Sequence, residues 1–142
     1  MTEEKKQSLH PISRILCAAY NVLHKKGEVY FELQDEHADK IDSVVKTIEG
    51  TWFGVAHFNT LEKKAAGYFC FIIKDHPVVD GNKRLALLWL EIFCDAMNLK
   101  INLPSDMTLD KLAVSVEQTK DLTMENLCEI VRIILFKTPK NK

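Results

Sequence analysis

The stretch on which the fold turns is LEKKAAGYFCFIIKDHPVVDGNKRLALLWLEIFCDAMN, residues Leu61–Asn98. Its first part, about Leu61–Lys74, carries Ala65, Ala66, Tyr68, Phe69, Phe71, Ile72 and Ile73. Its last part, about Asn82–Asn98, carries Leu85, Leu87, Leu88, Trp89, Leu90, Ile92 and Phe93. Both read as helices that are apolar around most of their circumference, and such helices belong in a core. Trp89 sits at helical spacing among apolar neighbours, so it is read as core. Thr60 is placed to cap the first helix, with Glu62 in its first turn favouring the helix dipole. Between the two runs lies polar Asp75–Gly81, a loop carried on a rigid hydrophobic stem.

The pattern stays helical on either side. Upstream, Pro11–Lys26 puts Ile12, Ile15, Leu16, Ala19, Val22 and Leu23 on one face, and Gly27 ends the run. Asp35–Glu49 turns Ile41, Val44, Val45 and Ile48 inward before Gly50. Downstream, amphipathic helices are predicted near Leu109–Gln118 and Met124–Phe136, with Thr108 and Thr123 as caps. Thr51–Asn59 breaks the period. It is aromatic, contains Gly54 and lies between a helix stop and a helix start, which predicts a short β-hairpin or flap. Trp52, Phe53 and Phe58 are read as the clamp that holds it down. The expectation is an all-α fold, one domain over residues 1–142 of roughly six helices with one small hairpin, and a loose polar tail from Lys137 to Lys142.

Bulk properties narrow the function. The chain has 142 residues, 46% hydrophobic and 27% charged, the balance of a soluble globular protein. No uninterrupted apolar stretch is long enough to span a bilayer, and the best candidate, Leu85–Phe93, is about half the ~20 residues needed. The N-terminus lacks the apolar core of a secretory signal, so a cytoplasmic location is expected and no membrane partner. A net charge of −1, with both signs mixed along the chain, argues against a nucleic-acid partner. Cys17, Cys70, Cys94 and Cys128 lie apart among apolar neighbours and form no Cys-x-x-Cys pair, which suits buried thiols in a reducing compartment. His10, His24, His37 and His57 show no metal-ligand spacing.

The loop carries the chemistry. Pro77 disfavours helical backbone at the residue before it, which predicts an extended His76 pointing off the helix end. Gly81 permits a backbone path or a close approach that other residues resist. A helix starting near Asn82 offers free N–H groups and a positive dipole end to an anion. Lys83 and Arg84 are unfavourable in a first turn unless an anion sits there. Asp80 supplies a hard oxygen suited to Mg²⁺ held jointly with phosphate oxygens. Histidine is the natural general base near neutral pH. Together these residues describe transfer of a phosphorus-centred group to a nucleophile.

The segment also resembles the signature of the Fic/Doc (Fido) family, His-x-Phe-x-Asp/Glu-Gly/Ala-Asn-Gly/Lys-Arg, at His76, Asp80, Gly81, Asn82, Lys83 and Arg84. The likeness extends over roughly residues 35–98. It implies that His76 deprotonates a Ser, Thr or Tyr hydroxyl of a target protein and that Asp80 holds Mg²⁺. Gly81, Asn82, Lys83 and Arg84 would then bind the phosphates of ATP or another nucleotide triphosphate. Thr51, Trp52, Phe53, Gly54 and Val55 would form the flap that docks the target as an added strand.

The departures are informative. Val78 replaces the Phe, Lys83 stands where AMP-transferring members have Gly, and Leu87 stands where they carry a second Arg. Lys83 resembles the Doc (death-on-curing) toxin branch, although that branch's Asn falls on Leu88. Lys83 should narrow the α-phosphate site and favour phosphoryl over AMP transfer. The expected protein is thus a phosphoryl-transferring toxin whose antitoxin is a separate protein. AMP transfer is the first alternative, and an inert nucleotide-binding or protein-interaction module the second. Glu49-Gly50 partly matches the family's inhibitory motif, but the Ser/Thr position holds Val45, so Glu49 is read as a decoy.

Overall fold

The computed structural model describes residues 1–51 and 54–136. Among them are seven helices: α1 (Glu3–Ser8), α2 (Pro11–Lys25), α3 (Asp35–Glu49), α4 (Leu61–Asp75), α5 (Asn82–Ala96), α6 (Leu109–Gln118) and α7 (Met124–Phe136). α4 is the centre, packed on α5, α7, α3 and α6. Its burial is nearly all-round, with Ala65–Cys70, Ile72 and Ile73 all buried. From α5 come Leu85, Ala86, Trp89, Leu90 and Phe93. Trp89 stacks edge-on to Tyr68 at 5.7 Å between ring centroids, so it is core, as its spacing implied.

The caps are those expected from the sequence. Thr60, Thr108 and Thr123 each accept a backbone N–H three residues on, at 3.1 Å. All four cysteines are buried and free. Burial pushes the Cys17 thiol up to about 12 and the Cys94 thiol up to about 11, which leaves both as small hydrophobes. No helix among the described residues is long and apolar enough to cross a membrane.

Two expectations fail. α1 was not foreseen because it buries no residue. It is held by polar contacts instead: Thr2 caps it, the Thr2 N–H donates to Asp35 and Lys5 pairs with Asp39 at 2.6 Å. Apolar periodicity cannot report such a helix.

The β-hairpin is also absent. Thr51, Gly54 and Val55 belong to an irregular loop, and no strand forms among the described residues. Trp52 and Phe53 lie outside those residues. A lone two-stranded hairpin is marginal in water, and here one side chain pins the segment. Phe58 is half-buried, meets Phe71 edge-on at 6.0 Å and covers Gly67 of α4.

A Cβ at Gly67 would lie 2.7 Å from both Ile48 Cδ1 and Phe58 Cε1. Gly67→Val is therefore expected to destabilise the fold by about 1–3 kcal/mol and loosen the 54–60 loop, because overpacking outweighs any helix-propensity gain. Urea denaturation and limited proteolysis of that loop would check this; unchanged stability would count against the packing argument.

Candidate active site

The loop between α4 and α5 is shaped by one side chain. Asn82, the first residue of α5, is buried, and its amide oxygen accepts the Val78 N–H at 3.0 Å. Its amide nitrogen donates to the Val78 carbonyl at 2.8 Å. Val78 itself is 4% exposed, so its side chain anchors the loop in the core as the smaller substitute for Phe was expected to do.

His76 corrects the extended backbone predicted for it. Its φ of 51° and ψ of 58° are left-handed. Pro77 does exclude the right-handed helical conformation, but the chain turns sharply at the helix end instead of running on. The reason is the reversal needed to bring Val78 over Asn82. A left-handed non-glycine residue costs on the order of 1–2 kcal/mol, held here by the clamp. The imidazole is exposed, with Nδ1 3.4 Å from the Asn82 amide nitrogen. An amide N–H only donates, so this long contact is compatible with a lone pair on Nδ1.

Gly81 has φ 84°, and a Cβ there would collide with Val29 Cγ1. Glycine is therefore required twice over, by conformation and by the close approach of the α2–α3 segment. The Leu85 N–H is the first to bond back, to the Gly81 carbonyl at 2.8 Å. By helix geometry the N–H groups of Asn82, Lys83 and Arg84 lack intrahelical acceptors, which leaves an anion site.

His76, Asp80, Gly81, Asn82, Lys83 and Arg84 line one cavity of about 290 Å³, joined by Val79 and Glu117. The six motif residues predicted to act together are thus brought together. Thr51, Gly54 and Val55 are exposed and do not line it. A larger cavity of about 460 Å³, between the 54–60 loop, α3, α4 and α7, includes His57 but shares no residue with the motif. That cavity lacks the cations of the motif loop and the N-terminus of α5.

The environment of the motif could not be foreseen. Lys83 Nζ meets both carboxylate oxygens of Glu117, at 3.0 and 3.1 Å. Arg84 pairs with Glu28 at 3.4 Å. The Tyr30 N–H donates to Asp80 Oδ2 at 3.2 Å. These partners lie 34, 56 and 50 positions away in the chain, with no motif of their own to mark them. That bond engages one oxygen of Asp80, and a single exposed carboxylate beside free helix N–H groups has the chemistry to share Mg²⁺ with phosphate oxygens.

Glu49 is committed elsewhere. Its carboxylate pairs with Lys64 at 2.7 Å and accepts the Tyr68 hydroxyl at 2.6 Å. Burial, together with that carboxylate, drives the Tyr68 hydroxyl far above its ordinary pKa. Tyr68 precedes His76 by about 12 Å of helix rise.

Fold and cavity together define a class: a helical protein whose buried helix pair presents a polar cavity at the N-terminus of its second helix. Comparison with protein families places residues 6–94 in the Fic/DOC family, and the chain belongs to that family. Members of that family are typically nucleotide-dependent transferases that modify proteins. No curated protein and no solved structure matched the chain.

Asn82→Ala would leave both polar groups of Val78 without partners. The expected loss is about 1–3 kcal/mol of stability, measured by denaturant unfolding, with weaker anion binding. Glu49→Gln should lower stability by about 1 kcal/mol through the lost ion pair and leave target labelling unchanged; a large gain in labelling would show that Glu49 restrains the site.

Proposed function

We propose that the protein transfers the terminal phosphoryl group of ATP to a Ser, Thr or Tyr hydroxyl of a target protein, in the manner of the Doc branch. The observation that carries this is the single cavity in which His76, Asp80 and the N-terminus of α5 converge with Lys83 and Arg84. His76 takes the proton of the acceptor hydroxyl as the hydroxyl oxygen attacks the terminal phosphorus. The bond between that phosphorus and the oxygen bridging it to the β-phosphate breaks, and ADP leaves with its phosphates held by the α5 N–H groups and Arg84. Asp80 would hold Mg²⁺, which supplies charge neutralisation on the phosphate oxygens.

Two features favour the terminal phosphoryl group over AMP. Lys83 fills the place of a glycine and its side chain lines the cavity. Leu87, in place of a second Arg, instead lines an adjoining and more apolar cavity with Leu23, Leu88 and Leu109. Glu49 is bound to Lys64 and Tyr68, which supports reading it as no inhibitor of the site, and any inhibitor would then be a separate protein. Four buried free thiols suit a reducing cytoplasm.

The test is incubation of a cell lysate with the protein, Mg²⁺ and ATP labelled at either the α or the γ position. Label from γ alone, lost in His76→Ala while nucleotide binding and folding persist, is the expected outcome. Label from α alone would replace the proposal with AMP transfer. No transfer, with wild type and His76→Ala behaving alike, would leave a binding module.

A further inference from the structure

Glu117 stands in the cavity but comes from α6, beyond the residues that match the family. It is not a loosely placed surface carboxylate. The α6 C-terminus is seated by Leu112, Ala113 and Val116, all buried. Lys74, in the last turn of α4, donates to the Glu117 carbonyl at 3.3 Å and to the Thr119 carbonyl at 2.5 Å. Lys83, in the first turn of α5, takes the Glu117 carboxylate with near-equal contacts to both oxygens. One end of α6 therefore bridges the two helices that carry the loop, and it brings a carboxylate and the negative end of a helix dipole to the rim of an anion site.

That arrangement has a consequence for ligands. A phosphate entering the cavity meets Lys83 already neutralised and Glu117 as a like charge. It gains Lys83 only by displacing the carboxylate. We infer that Glu117 is a specificity-determining residue of the anion site, reserving Lys83 for ligands with enough phosphate charge to displace a carboxylate, such as a triphosphate chain. The inference rests on the proposed nucleotide site but not on which group is transferred. Glu117→Gln keeps the side-chain size and the backbone carbonyl that holds Lys74, so it removes the charge and little else.

The experiment is calorimetric titration of the full chain with inorganic tripolyphosphate at low ionic strength, in wild type, Glu117→Gln, Lys83→Gln and the double variant. Glu117→Gln should bind roughly threefold to fivefold tighter, the scale of a half-exposed charge pair. The gain should fade as salt is raised and fall back to about the wild-type value in the double variant, while Lys83→Gln alone should weaken binding severalfold, because it removes the cation and leaves the Glu117 carboxylate facing the ligand. A merely structural Glu117 would not produce that dependence on Lys83. Binding by Glu117→Gln that is equal to or weaker than wild type, including no binding by either, would overturn the inference. Tighter binding in Glu117→Gln with no label transfer by wild type would sink the proposed activity and leave this role of Glu117 standing; transfer without the gain would do the reverse.

Discussion

The amide of Asn82, with its oxygen on the Val78 N–H and its nitrogen on the Val78 carbonyl, is the contact on which the rest of the site depends. Both Val78 groups are buried with the loop and would otherwise be left without partners, a state more costly than the hydrogen bonds themselves are favourable. One side chain therefore closes the turn from both sides. The left-handed His76 and Gly81 then stand at either end of a fixed reversal, and α5 begins with its N-terminus aimed into the cavity.

A clamp of this kind holds only if its ends do not move. α4 and α5 meet that requirement because each is buried over most of its surface, with Tyr68, Phe69, Ile72, Leu85 and Leu90 at 0–1% exposure. Close-packed helices resist small displacements, so the polar loop inherits the stiffness of the core. The strain at His76 is sustained by that packing, and the imidazole stays exposed to solvent.

Charge is arranged differently from packing. Lys83 and Arg84 would repel the dipole of α5 if left alone. Glu117 and Glu28 meet them from other segments, through pairs that stay partly exposed and contribute little stability. Their effect on the site is positional: each cation is paired with a carboxylate from another segment of the chain. The α2–α3 segment supplies the other wall, through Val29 against Gly81 and the Tyr30 N–H on Asp80.

Much of this was legible in the chain. The boundaries of α2 to α7, the three threonine caps, the buried cysteines and the convergence of the motif residues follow from period, cap chemistry and short spacing, all of which act within a few residues. Three things did not follow. α1 is fixed by polar contacts that leave no apolar stripe, and the segment around Gly54 is pinned by Phe58 on Gly67 instead of strand pairing. At His76, a prolyl neighbour excludes one conformation without choosing between the others. By itself the sequence determined a helical core with a polar motif loop mounted on it, because those properties are set locally. Only the tertiary structure decided which carboxylates face Lys83 and Arg84, what wall stands against Gly81 and how the loop turns, because those depend on contacts between residues dozens of positions apart.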